Sequence, residues 1–103
     1  MAENIALTEA VYYILLSLIE PNHGYGIMQN VSRLSGGRVN LAAGTLYGAI
    51  TTMLERGWIT ALTGEGGSRK KEYLITPLGK AAAENEISRL RELLLNGENI
   101  LGR

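Results

Sequence analysis

Cysteine is absent from these 103 residues, and so is aspartate; all ten acidic residues are glutamate. Without cysteine there are no disulfides and no thiolate metal sites, which fits a reducing compartment, and a cytoplasmic location is the expectation. With one histidine, His23, and no aspartate, a Ser-His-Asp triad cannot be written and a histidine-rich metal site cannot be assembled. A Glu-His pair stays open, since side chains distant in sequence can meet. No nucleophile, base and orienting group share any spacing logic, however, so neither catalysis nor a cofactor is expected. Long apolar runs are missing too. The longest, Val11 to Ile19, is about half the roughly 20 residues that a membrane span needs. Residues 1–10 carry Glu3 and Glu9 and no basic stretch, so no signal peptide is expected either.

What is present is a foldable composition. Apolar residues make up 46% of the chain, enough for one domain with a real core. The formal net charge is zero, but it is unevenly spread. Glu3, Glu9 and Glu20 give residues 1–22 a net −3. Arg33, Arg38, Arg56, Arg69, Lys70 and Lys71 against Glu55 and Glu65 give residues 23–71 a net +4, and residues 72–103 carry −1. A basic middle between acidic ends suits a phosphate-facing surface, and scattered surface charge gives the same count.

Thr8 reads as the N-cap of a first helix ending near Ile19 or Glu20. Its apolar residues form two stripes, Leu7, Val11, Ile14, Leu15 and Leu18, and Tyr12, Leu16 and Ile19, so the helix is buried on two sides. Pro21-Asn22-His23-Gly24 is a turn by composition, with His23 a turn residue. A second helix, about Tyr25 to Leu34, ends at Gly36 or Gly37. A third, about Ala43 to Arg56, has a core face of Leu46, Ala49, Ile50, Met53 and Leu54, a poorly capped start and a stop at Gly57. Trp58 to Thr63 and Arg69 to Ile75 read as two strands around a glycine-rich tip. Thr76 and Pro77 open a last helix as N-cap and first helical residue, with Asn96-Gly97 as its stop. Tyr25, Tyr73 and Trp58 read as packing residues.

Three short helices, a two-stranded hairpin and a long helix make a mostly helical α+β chain of the winged helix-turn-helix type. It divides into a DNA-binding unit over residues 1–76 and a dimerisation helix and tail over 77–103. In that architecture the third helix enters the major groove and the hairpin lies along the backbone. Arg69, Lys70 and Lys71 on the returning strand then meet phosphates; the same cations also serve to block edge-to-edge strand pairing. The outward face of the third helix offers Gly44, Thr45, Tyr47, Gly48 and Thr51, and no Arg, Lys, Asn or Gln. Specificity would rest on groove shape and on close backbone approach at the two glycines, unless these serve packing against a neighbouring helix. In the last helix Ala83, Ile87, Leu90 and Leu94, with Leu101 beyond, follow a heptad-like seam. The spare stripe Tyr12, Leu16 and Ile19 offers the partner a surface, so a homodimer is expected on a palindromic operator.

Gly24-Tyr25-Gly26-Ile27, Gly44-Thr45-Leu46-Tyr47-Gly48-Ala49-Ile50, Leu54-Glu55-Arg56-Gly57-Trp58-Ile59 and the stretch from Gly67 to Gly79 resemble the PadR family of bacterial transcriptional regulators. The resemblance covers about Leu7 to Glu84. It implies a winged helix-turn-helix repressor, a dimer built through C-terminal helices, and often a response to small aromatic or drug-like molecules. Thr45, Tyr47 and Gly48 would sit in the recognition helix and Arg69, Lys70 and Lys71 in the wing. An effector pocket is then expected at the dimer interface around Tyr12, Tyr13, Leu16 and Leu93. Gly48 stands where the family often has proline, and Ser68 and Glu72 depart from its usual wing pattern. The C-terminal segment is as short as in the family's smaller subgroup. The alternative class is a winged-helix protein-interaction module without DNA-binding activity.

Overall fold

A computed structural model describes residues 5–62 and 71–102. Thr8 caps α1 (Glu9–Leu16), its hydroxyl accepting the Val11 N–H at 3.1 Å. The helix ends earlier than its apolar stripes suggest. Ser17 turns its hydroxyl back onto the Tyr13 carbonyl at 2.8 Å, and the next amides bond three residues back rather than four. The Leu18 carbonyl is then taken by the Ile75 N–H at 2.8 Å, so a strand contact replaces further helix.

The turn read at residues 21–24 contains a strand. Asn22–His23 form β1, which pairs antiparallel with Tyr73 and Glu72. The expected hairpin is thus a three-stranded sheet of order β1-β3-β2, with β2 Ile59–Leu62 and β3 Glu72–Ile75. Two residues are too short for a periodic signal; only the partner strand defines them. His23 also caps α2 (Gly24–Leu34), its Nδ1 accepting the Gly26 N–H at 3.2 Å. Both Gly36 and Gly37 take positive φ to close that helix, and the Gly37 N–H reaches the Ser32 carbonyl at 2.8 Å.

The third helix, α3 (Ala43–Glu55), starts without a side-chain cap, as its sequence implies. Gly57 follows at φ 75°. Thr76 then locks β3, β2 and the last helix together. Its N–H donates to the Trp58 carbonyl at 2.9 Å and its hydroxyl to the Gly57 carbonyl at 2.6 Å, while that hydroxyl accepts the Gly79 N–H at 3.1 Å. The last helix, α4, spans Pro77–Leu101. It runs through Asn96-Gly97, because an interior glycine costs only about 1 kcal/mol. The true stop is Gly102, left-handed at φ 74°.

One cluster fills the interior: Ile14, Leu15 and Leu18 after and within α1, Ile27 and Val31 of α2, Leu46, Ile50 and Met53 of α3, and Ile59, Tyr73 and Ile75 of the sheet. Only the first part of α4 joins this body. At 25 residues the helix is about 37 Å long, and its exposed second half stretches the chain to 58 × 35 × 20 Å. A polar tie fixes its root. Glu86, only 3% exposed, accepts the Leu7 N–H at 3.1 Å and bonds from Arg89 Nε and Nη2 at 2.8 and 2.5 Å.

Candidate nucleic-acid interface

The core takes Leu46, Ile50 and Met53 of α3, so the helical period puts Gly44, Thr45, Gly48, Thr51 and Thr52 in solvent. A side-chain carbon added at Gly44 or Gly48 would meet nothing within 4 Å. Close packing among the described residues therefore does not account for these two glycines. The Thr51 hydroxyl donates to the Tyr47 carbonyl at 2.9 Å and the Thr52 hydroxyl to the Gly48 carbonyl at 3.2 Å.

Tyr47 is half on this face and half inside. It is 48% exposed, yet a side-chain carbon at Gly24 would lie 2.4 Å from its hydroxyl oxygen. The ring thus reaches back over the start of α2. Burial pushes the Tyr73 phenol above its ordinary value, with the nearby Tyr47 phenol adding to the shift. Tyr47 thus covers Gly24 and links α3 to the start of α2. Tyr25 departs from the sequence expectation: it is 63% exposed, because α2 buries Gly24, Ile27 and Val31 and turns the neighbouring tyrosine outward. Tyr73 and Trp58 do pack, Tyr73 in the core and Trp58 against it.

Of the wing cations, Lys71 is exposed at the entry to β3, while Arg69 and Lys70 lie outside the described residues. The basic middle of the chain is weaker than its count. Arg38 is held by both oxygens of Glu9, at 2.9 and 2.6 Å, which raises its guanidinium pKa further. Arg56 lies over the Trp58 ring at 5.2 Å.

The residues assigned to dimerisation separate into two sets. Ala83 is 6% exposed within its own chain, which leaves it almost no surface for a partner. Tyr12, Leu16 and Ile87 are half-buried, and Ile19, Leu90 and Leu94 are exposed. Of the residues assigned to an effector, Tyr12 and Tyr13 have ring centroids 6.0 Å apart. Leu93 lines a groove with Leu94, Gly97, Glu98 and Leu101, none of them a residue of α1. A separate apolar groove of about 230 Å³ lies between the N-terminal segment and α3, along Leu7, Val11, Ala49, Met53 and Trp58. Among the described residues no helix is long and apolar enough to cross a membrane, and no group of three or more ligand-type side chains could hold a metal.

Several residues with structural roles escaped the sequence reading. His23 is a cap rather than only a turn residue, Gly24 makes room for Tyr47, and Glu86 is a buried acid. Only Glu86 carried a signal: a glutamate among Ala83, Ile87 and Leu90, with an arginine three residues on.

Residues 14–85 match the family model described as the transcriptional regulator PadR-like family. No match was found among curated proteins. Among solved structures, a transcriptional regulator from Clostridium thermocellum, Cth-833, is 26% identical, with 91% of each chain covered and a TM-score of 0.67. The Thermoplasma acidophilum protein TA0346 is 27% identical over 91% of each chain, at 0.68. Bacillus subtilis PadR, solved in complex with operator DNA, is 25% identical over 75% of this chain and 45% of its own, at 0.64.

Proposed function

This chain belongs to the PadR-like family of transcriptional regulators, and on that premise we propose that it is a homodimeric repressor of a palindromic operator, released by a small apolar or aromatic effector. In this reading α3 enters the major groove through Gly44, Thr45, Tyr47, Gly48 and Thr51, and Arg69, Lys70 and Lys71 meet the flanking phosphates. The carrying observation is the bare outer face of α3. One side of the helix fills the core, while the other exposes two glycines with nothing near them. The operator complex of the Bacillus subtilis relative supports DNA as the partner of this fold.

The dimer reading is supported by the second half of α4, where Leu90, Leu93, Leu94, Leu95, Ile100 and Leu101 are all exposed in the single chain. Tyr12 and Leu16 of α1, with Ile19 in the turn after it, are the matching surface, and the effector site lies between the two, with Tyr13 and Leu93. Light scattering at micromolar concentration should give twice the 11.2 kDa of one chain.

DNA affinity should come mainly from phosphates. Three wing cations per subunit, Arg69, Lys70 and Lys71, correspond to a slope of log K against log salt of about −5 for the dimer. Selection on random duplexes supplies the operator for this measurement. Replacing Lys70 and Lys71 by Ala should flatten the slope by as much as about 4. An unchanged slope places these cations away from DNA. Absence of any salt-dependent duplex binding favours the protein-interaction module instead.

A further inference from the structure

We infer that the α3 face reads DNA chiefly through thymine methyl groups rather than through hydrogen bonds to base edges. The inference rests on the reading of α3 as the recognition helix and specifies its ligand. Bidentate recognition of guanine needs Arg or Lys, and of adenine Asn or Gln. None of these four residue types occurs in α3, whose sequence is AGTLYGAITTMLE.

The hydroxyls that could replace them are largely committed. Thr51 and Thr52 each donate their proton to a carbonyl of their own helix, those of Tyr47 and Gly48. Neither can then donate to guanine N7 or O6, adenine N7 or thymine O4, the acceptors of the major groove, and each hydroxyl keeps only an acceptor role. A threonine whose oxygen turns toward the helix backbone has its γ-methyl in another staggered position, away from that carbonyl. Tyr47 is drawn back over Gly24. Among the described contacts, Thr45 and Tyr47 keep hydroxyls without a hydrogen-bond partner, and the Tyr47 hydroxyl is the one turned toward Gly24.

Beside the half-exposed Tyr47 and Glu55 at the far end of the helix, the exposed face carries the methyl groups of Ala43, Thr45, Thr51 and Thr52, with bare backbone at Gly44 and Gly48. Short side chains reach base edges only if the helix comes close, and the two open glycines remove the side-chain carbons that would hold it off. The one apolar feature that a base presents in the major groove is the thymine 5-methyl. An apolar threonine methyl and a thymine methyl exclude water from each other, whereas nothing on this face rewards guanine to the same degree.

The test uses the full chain and an operator selected from random duplexes. Each thymine is replaced in turn by deoxyuridine, which removes only the methyl, and each guanine by 7-deazaguanine, which removes the N7 acceptor. At one or more thymines per half-site, deoxyuridine should weaken binding about fourfold, equivalent to ~0.8 kcal/mol per buried carbon. The 7-deazaguanine series should stay within about twofold at every position. Among Thr45→Ser, Thr51→Ser and Thr52→Ser, which keep the hydroxyl and delete the methyl, at least one should erase the preference for thymine over uracil at a single base pair. Salt-dependent duplex binding that is indifferent to every deoxyuridine, or that no serine variant alters, overturns the methyl readout and leaves the DNA-binding reading standing. A larger loss at a 7-deazaguanine than at any deoxyuridine overturns it as well. No binding to any duplex removes the DNA-binding reading itself and this inference with it.

Discussion

Of the described glycines, Gly79 leaves the least room for a side chain. A side-chain carbon there would lie 2.0 Å from the Trp58 carbonyl oxygen and 2.8 Å from an Ile75 carbon. The first of these neighbours is backbone, already fixed by the Thr76 N–H. Gly79→Ala should therefore force α4 away from the sheet and destabilise the fold by about 1–3 kcal/mol, the usual penalty of overpacking. Denaturant unfolding measures it; an unchanged midpoint would mean that the helix root shifts freely. Glu86 is constrained by charge rather than space. Hydrogen bonding from Arg89 holds its carboxyl below the ordinary value of 4.5; burial opposes this shift and the Leu7 N–H assists it. A carboxylate with a lowered folded-state pKa contributes stability above its unfolded value. That contribution is lost as pH falls from about 4.5 through the lowered folded value. Glu86→Gln should cost about 1–3 kcal/mol at neutral pH, and the difference between variant and wild type should shrink on acidification to pH ~3. Melting temperatures across that range decide it: a constant difference would show that the carboxylate charge contributes nothing.

At the scale of elements, local chemistry was readable and pairwise chemistry was not. The caps at Thr8 and Thr76, the proline at Pro77 and the stop at Gly57 each involve a few adjacent residues, and each sits where the sequence placed it. The exposed face of α3 followed from helical period alone. By contrast, β1 exists only because β3 lies beside it. Tyr47 lodges against a glycine 23 positions away, and Arg38 is neutralised by Glu9 across 29 positions. The end of α4 was misplaced because the choice between Gly97 and Gly102 turns on about 1 kcal/mol. That correction changes the proposed seam. With the helix continuous to Leu101, Ile87, Leu90, Leu94, Gly97 and Leu101 are spaced 3, 4, 3 and 4. Gly97 takes a seam position and forms a notch beside Leu94 and Leu101. If a partner side chain fills that notch, Gly97→Leu should overpack it and raise the dimer dissociation constant about tenfold or more. Leu94→Glu should do the same by placing an unpaired charge in an apolar contact. Sedimentation equilibrium reads both, and a Gly97→Leu dimer as tight as wild type would move the seam to another face of α4.

The whole molecule has a body at one end and an exposed helix at the other, and this shape bears on how two copies could meet DNA. Each body presents one α3, on the surface opposite the core that its other face fills. If two copies join through α4, the dimer is two-fold symmetric, because an isologous contact uses the same patch on both chains. Two-fold symmetry relates the two α3 helices, so an operator that engages both must carry the same sequence in opposite directions. For both helices to enter the groove from one side of straight DNA, the half-site centres must lie about 10 base pairs, or one turn, apart. Other spacings require bending, at a cost of order 1–6 kcal/mol. Insertion of about five base pairs between the half-sites turns one of them to the far side of the duplex. Binding to that duplex should fall to the level of an isolated half-site, since the second α3 then faces away from its target. Insertion of a full turn keeps both half-sites on one face but roughly doubles their separation, which tests whether α4 holds the two bodies rigidly. A rigid dimer loses both inserted operators. A dimer hinged along α4 recovers the full-turn insertion and still loses the half-turn one. Equal affinity for all three duplexes would mean that the two bodies do not read the grooves together, and the palindromic operator would then have to be abandoned.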